Sequence, residues 1–355
     1  MTEKDQFKFD VVIGNPPYQE EQKSTDIESS KKNYASPIYN LFIDEAYEVG
    51  KKVELIHPAR FLFNAGSTPK KWNKKMLNDP HLKVIYYESE SKKVFENVDI
   101  KGGIAVTYHD NSKDFGAIKV FTQYSELNEI MKKVVEQPKF ISLIEIVYSR
   151  TAYRLTDLMH KDYPNAIDNL SKGHAYDMAS NIFERLPFIF YDEKPSDEND
   201  YVKIIGRENN KRCWKYIRRD YINSPENIES FKVLIPQATG RGAFGEALPE
   251  LIIGEPHMAN TETFISIGNF STSVEAENLK KYVKTKFLRA MLGILKVTQI
   301  GNRPVWGMIP LQDFSAASDI DWTKSIPEID QQLYKKYGLS EEEMNFIETH
   351  VKEMD

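Results

Sequence analysis

Short apolar runs alternate with amphipathic ones along the first third of the chain. Phe9-Asp10-Val11-Val12-Ile13 reads as a strand closed by Gly14-Asn15-Pro16-Pro17, because prolines cannot donate to a sheet ladder. Ser36-Pro37 offers an N-cap and a first-turn proline for a helix carrying Ile38, Leu41, Phe42, Ala46 and Val49 on one face, with Gly50 ending it. Residues 52–56 predict the next strand. Thr68-Pro69 opens a second helix with Trp72, Met76 and Leu77 inward, and residues 84–87 and 103–108 predict two further strands. Such alternation predicts an α/β sheet, at least partly parallel.

After about residue 135 the rhythm turns irregular. Strands are expected at 231–235 and 263–267, and a polar surface loop at 192–200. One long helix is expected behind the capping box Thr272-x-x-Glu275, running to about Lys296. A last short helix should follow Ser340-x-x-Glu343. The change of rhythm divides the chain into an α/β domain, residues 1–135, and a mixed α+β domain, residues 136–355.

Composition narrows the class. With 355 residues, 41% apolar and 28% charged, the chain is of globular type. Its charged opening cannot begin a secretory signal, and no apolar run approaches the roughly 20 residues of a membrane span. The lone Cys213 excludes an internal disulfide and a cysteine-based zinc site, and the seven histidines show no pair at ligand spacing. The expectation is a cytoplasmic protein without metal and without membrane contact.

The net charge of −6 hides an uneven distribution. Residues 203–219 carry seven basic side chains against Glu208 alone. Residues 279–303 carry another seven and no acid, while residues 313–355 carry eleven acids against four lysines. A basic face for a polyanion is one reading, and a solvated surface is the other.

The sharpest chemical signal is Asn15-Pro16-Pro17-Tyr18 at the end of a strand. The exocyclic amine of adenine is a poor nucleophile because its lone pair is delocalised into the ring. Two acceptors beside it bind both N–H groups and draw the nitrogen toward sp³. Asn15 offers a side-chain carbonyl and Pro16 a backbone carbonyl on a rigid turn. Tyr18 can lie against a base rotated out of the duplex. Positioning then supplies most of the acceleration for in-line attack on a sulfonium methyl.

Val12-Ile13-Gly14-Asn15-Pro16-Pro17-Tyr18 resembles motif IV of the adenine-N6 DNA methyltransferases. Val53-Glu54-Leu55-Ile56-His57-Pro58 is similar to their motif VI. Val94-Phe95-Glu96-Asn97-Val98 with Ile100-Lys101-Gly102-Gly103 is similar to motif VIII of Eco57I-like restriction-modification methylases. That resemblance implies the C-terminal half of a Rossmann-like methyltransferase sheet, S-adenosylmethionine as methyl donor, and Phe95 packing against the flipped adenine. An ordinary core phenylalanine is the other reading of Phe95. Residues 206–212, 261–264, 275–278 and 296–299 look like the recognition region of such enzymes, so the second domain is expected to recognise double-stranded DNA. By the family pattern the glycine-rich donor-binding strand is missing ahead of Asn15, which leaves no donor-binding residues to name. The strand at 9–13 is then expected to be an uncovered edge that a complementing chain completes.

Within that frame Arg207, Asn209, Asn210, Lys211, Arg212, Arg218 and Arg219, interleaved with Trp214 and Tyr216, are expected to contact DNA. So are Arg241 in its glycine loop, and Lys296, Thr298, Gln299, Asn302 and Arg303 behind the basic helix. Asp79 with Glu90-Ser91-Lys92 superficially fits nuclease spacing, and is read as a coincidence of a charged chain. Two other functions stay open: an inactive remnant that acts as a DNA-binding specificity module, and methyl transfer to glutamine or RNA. The length of chain after Tyr18 disfavours the latter.

Overall fold

In the computed structural model the prolines end β1 (Phe9–Gly14) where the sequence requires. The residues described are 7–20, 36–64, 67–96, 100, 102–240, 242–296 and 298–354. They fall into two units, Met1–Ser125 and Glu126–Asp355, a division ahead of the expected boundary at 135.

The first unit continues with α1 (Tyr39–Val49), β2 (Gly50–Pro58), α2 (Lys70–Leu77), β3 (Leu82–Glu88) and β4 (Ile104–Asp110). The strands form one mixed sheet in the order β1-β2-β4-β3. β1 and β2 run parallel, and β4 is antiparallel to both of its neighbours. Val53, Leu55, Leu82 and Ala105 on one sheet face pack beneath Tyr39, Ile43 and Ala46 of α1 and Trp72, Met76 and Leu77 of α2.

Two local expectations are corrected. The buried stripe of α1 is Tyr39, Ile43 and Ala46, while Leu41 and Phe42 are 58% and 45% exposed. At 100° per residue Leu41 falls on the side of the helix opposite the buried residues Tyr39, Asn40, Ile43 and Ala46, and Phe42 falls at the margin of their stripe. Nor does Ser36-Pro37 cap the helix: Ile38 holds the cap position without a side-chain bond. Pro37 instead bridges to Gln19, and the Glu20 N–H donates to the Ser36 carbonyl at 3.0 Å. The extended φ of proline suits that bridge as well as a helix start. Gly50 then carries α1 into β2 with no intervening loop. A Cβ there would lie 2.7 Å from Cγ2 of Val12, so the close approach of β1 excludes any side chain.

The second unit runs α3 (Ser125–Val135), β5 (Val147–Tyr148), β6 (Arg154–Leu155), α4 (Asp157–Asp162), α5 (Ile182–Arg185), β7 (Tyr201–Glu208), β8 (Lys211–Arg218) and β9 (Ile222–Asn223). There follow β10 (Phe231–Pro236), β11 (Ile252–Gly254), β12 (Met258–Asn260), β13 (Phe264–Phe270), α6 (Ser273–Lys284), α7 (Lys286–Gly293), α8 (Ile326–Tyr337) and α9 (Glu341–His350). Its sheets have the orders β11-β10-β13-β5, β12-β7-β8 and β6-β9.

Both expected capping boxes form, and a third, Ser325 with Glu328, opens α8. The long helix does not form as one piece. At Thr285 the backbone turns extended, and its hydroxyl accepts from the Leu288 N–H at 3.1 Å to cap α7. The buried Asp330 carboxylate accepts from the Lys286 and Phe287 N–H groups at 3.0 and 2.8 Å, satisfying donors that the break frees. Burial pushes the Asp330 carboxyl up to about 6. Among the described residues, no helix is long and apolar enough to cross a membrane, and no cluster of acids, histidines and cysteine could hold a metal.

Candidate functional site

The carboxyl end of β1 delivers Asn15-Pro16-Pro17-Tyr18 to one end of the first unit's sheet. Gly14 is level with Leu55, Pro58 is opposite Ile104, and Ile104 is opposite Glu88. The register therefore gathers residues 15–18, the residues after Pro58, and residues 89–96 with Phe95 at the same end of the sheet. In sheets containing parallel strands, this end is where ligands bind.

Asn15 is exposed and Pro16 half-buried. Among the described residues nothing donates to the Asn15 amide oxygen or the Pro16 carbonyl, so both acceptors stay open. Tyr18 is tethered through its carbonyl, which accepts from the Ile38 N–H at 3.2 Å. Its ring leans partly into the core, and its hydroxyl is buried without a partner, which raises its pKa.

Behind the tetrapeptide, His57 is wholly buried and stacked on Tyr39 at 5.9 Å. The Pro58 carbonyl, 3.1 Å from Nδ1, can only accept, so Nδ1 carries the proton and Nε2 accepts from the Thr107 hydroxyl at 2.8 Å. Burial holds its pKa down to about 4. His57 is a neutral strut of this end of the sheet. Phe95 is half-buried, its N–H donating to the Ser91 carbonyl at 2.8 Å, and it lies outside the core cluster. Gly102 and Gly103, at φ 91° and 80°, turn this segment back into β4. A Cβ on Gly103 would meet the Glu88 carbonyl oxygen at 2.3 Å. Asp79 and Glu90 flank opposite ends of the seven-residue β3, about 20 Å apart, so they cannot share a metal.

In the second unit the basic stretch 203–219 is mainly the β7–β8 hairpin. Asn209 and Asn210 are its turn, with φ of 50° and 63°, the left-handed pair of a type I′ connection. That conformational demand accounts for both asparagines, and an Asn-Asn pair between two alternating runs is the sequence signal for it. Arg207, Lys211 and Arg212 surround the turn, with Arg212 lying 5.5 Å over the Phe264 ring.

Other expected DNA contacts are held by internal bonds. Arg218 grips Asp220 with Nη2 at 2.6 Å and Nε at 3.1 Å and lies over Tyr221, while Arg219 donates to the Ile222 carbonyl at 3.1 Å. Lys296 is buried, donates to the Thr239 and Thr298 carbonyls at 3.2 and 3.1 Å, and has its pKa lowered by burial. Arg303 donates to the Val147 and Ile144 carbonyls at 2.8 and 3.1 Å. Each of these cations ties segments of the second unit together. Thr298, Gln299 and Asn302 are exposed. The Gln299 carbonyl accepts from the Thr239 N–H at 2.8 Å and Ala238 bridges to Ile300, which brings these residues beside the loop of Gly240 and Gly242. Arg241 lies outside the described residues.

Residues 1–95 match the Eco57I restriction-modification methylase family.

This Eco57I-type match contains the open acceptors and His57 and ends at Phe95. It lies within the first unit and takes in none of the expected DNA contacts. An uncharacterized adenine-specific methylase of Mycoplasma pneumoniae is 32% identical over 120 residues, which is 34% of this chain and 27% of that protein. The chain therefore spans about a quarter of that relative's length. Among solved structures, the type IIG restriction endonuclease BpuSI gives a TM-score of 0.33 at 12% identity, over 98% of this chain and 55% of that one. The type IIL restriction-modification enzyme MmeI, solved in complex with DNA, gives 0.30 at 8% identity, over 96% and 56%.

Proposed function

We propose that the first unit is the base-accepting half of a DNA methyltransferase acting on adenine N6 in a restriction-modification system, with the second unit recognising duplex DNA. The observation that carries this is the pair of unused acceptors, the Asn15 amide oxygen and the Pro16 carbonyl, at the carboxyl end of a strand. They accept the two N–H groups of a rotated adenine, hold the amine in place and localise its lone pair. Phe95, on the segment at the same end of the sheet, supplies a flat apolar surface for the base. The product ammonium gives its proton to water, so no side-chain base is required.

S-adenosylmethionine supplies the electrophilic methyl group. The chain's residues fit the base and not this donor. β1 is an edge strand, and nothing among the described residues beyond it stands to hold a ribose or a methionine moiety. The face that β1 turns away from the core is also apolar: Phe9, Val11 and Ile13 are 56%, 53% and 74% exposed. An uncovered hydrophobic edge of this kind fits a second polypeptide segment that adds a strand and carries the donor site.

The test is to mix the chain with a glycine-rich donor-binding segment and follow labelled methyl transfer to duplex DNA. Incorporation that vanishes in Asn15→Ala supports the reading. Donor binding and transfer that both stay absent would leave the DNA-binding remnant as the function.

A further inference from the structure

The tip of the β7–β8 hairpin holds an arrangement that folding stability does not explain. β12 pairs with β7 only from Lys203 to Ile205, so from Gly206 outward the hairpin runs as a two-stranded ribbon. There Arg207 stands directly opposite Arg212. Opposed residues share a sheet face with Cβ atoms about 5 Å apart, and like charges so placed destabilise a sheet.

The nearby acids are engaged elsewhere. Glu208 pairs with Lys215 at 3.1 Å on the other face, and Glu184 accepts the Asn209 N–H at 2.9 Å. Among the described residues no carboxylate neutralises either arginine, and Arg207 Nε is buried without a partner. Behind the pair, Ile205, Trp214 and Phe264 belong to one apolar cluster that stiffens this face, with Lys203 5.0 Å over the Trp214 ring. Two forked cations on a rigid ribbon call for an anionic partner with planar acceptors.

We propose that this ribbon tip enters the major groove of duplex DNA, with Arg207 and Arg212 donating to the O6 and N7 edges of guanine. The inference rests on the DNA-methylating reading and adds which element reads sequence. A two-stranded ribbon fits the B-form groove, about 12 Å wide, and the guanidinium fork matches the guanine edge. The tight two-residue turn keeps the tip narrow. The deep, narrow major groove of duplex RNA does not admit it.

The experiment offers the full chain a pool of randomised DNA duplexes and compares the enriched duplex with a scrambled one. The intact protein enriches a motif containing G·C pairs. Arg207→Lys and Arg212→Lys each lower the affinity ratio of enriched to scrambled duplex by about ten- to a hundredfold, erasing a guanine position. The salt dependence is kept, because the charge is kept. A matched thermal unfolding midpoint confirms that each variant folds. The proposal is overturned if the ratio moves by less than about twofold, if the intact protein enriches no motif, or if duplex RNA of the same sequence binds equally well. Loss of methyl transfer with the arginine dependence intact sinks the methylation reading alone. Methyl transfer with a motif indifferent to both arginines sinks this inference alone.

Discussion

Asn15 and Pro16 in the first unit and Arg218, Lys296 and Arg303 in the second were all expected to meet nucleic acid, and they differ in one respect. The first two make no bond to the described protein, whereas each of the three cations already donates to a carboxylate or to backbone carbonyls. A polar group left without internal partners at a strand end is available to a ligand. A cation already satisfied inside the fold stabilises loops, however basic its neighbourhood. Spare hydrogen-bonding capacity, more than local charge, distinguishes the two sets.

That contrast can be broken from either side. The largest effect is expected at Asn15: in the donor-completed assembly Asn15→Ala lowers the methylation rate on the order of a thousandfold, as loss of one preorganised polar contact does elsewhere, with DNA affinity within twofold. Joint loss of rate and affinity would merge the two roles. Next is the free edge, where Ile13→Lys leaves the unfolding free energy within about 0.5 kcal/mol and abolishes capture of the donor-binding segment in pull-down.

In the second unit, Asp330→Ala uncaps α7 and removes the carboxylate whose charge acts on Arg289. The Arg289 guanidinium is buried, and burial lowers its pKa to about 10. The expected loss is about 3 kcal/mol in denaturant unfolding.

Acid should separate the units. Burial depresses His57 from 6.5 to about 4, so its contribution of about 3 kcal/mol is complete above pH 6.5 and is lost as pH falls through 4. Asp330 is raised from 3.8 to about 6 by burial, so its contribution is complete below about 3.8 and is lost as pH rises through 6. Hydrogen exchange at pH 5 against pH 7 should show the first unit loosening and the second tightening, and parallel changes would contradict both assignments. The smallest effect is Arg218→Gln, which costs about 1 kcal/mol of stability and leaves the DNA salt dependence unchanged.

The first unit was largely legible because its signals are local. Short apolar runs marked all four strands, and Trp72, Met76 and Leu77 turned inward as periodicity required. Failures came where distant partners decide. Nothing between Lys284 and Lys286 announces a helix break, since the stabilising Asp330 carboxylate arrives from α8. The face of α1 depends on which residues β2 receives. The internal roles of Lys296 and Arg303 depend on carbonyls from remote loops, and a count of charges contains no information about them.

Gly50 has one further consequence. With α1 passing into β2 without a connecting loop and β1 pressed against the junction, this corner has no slack for a hinge. The corner lies at the Phe9 end of β1, opposite the end that carries Asn15, so it pins the register in which β1 delivers residues 15–18. Gly50→Ala should loosen that anchorage, read as faster amide exchange along β1 and β2 than in the native chain.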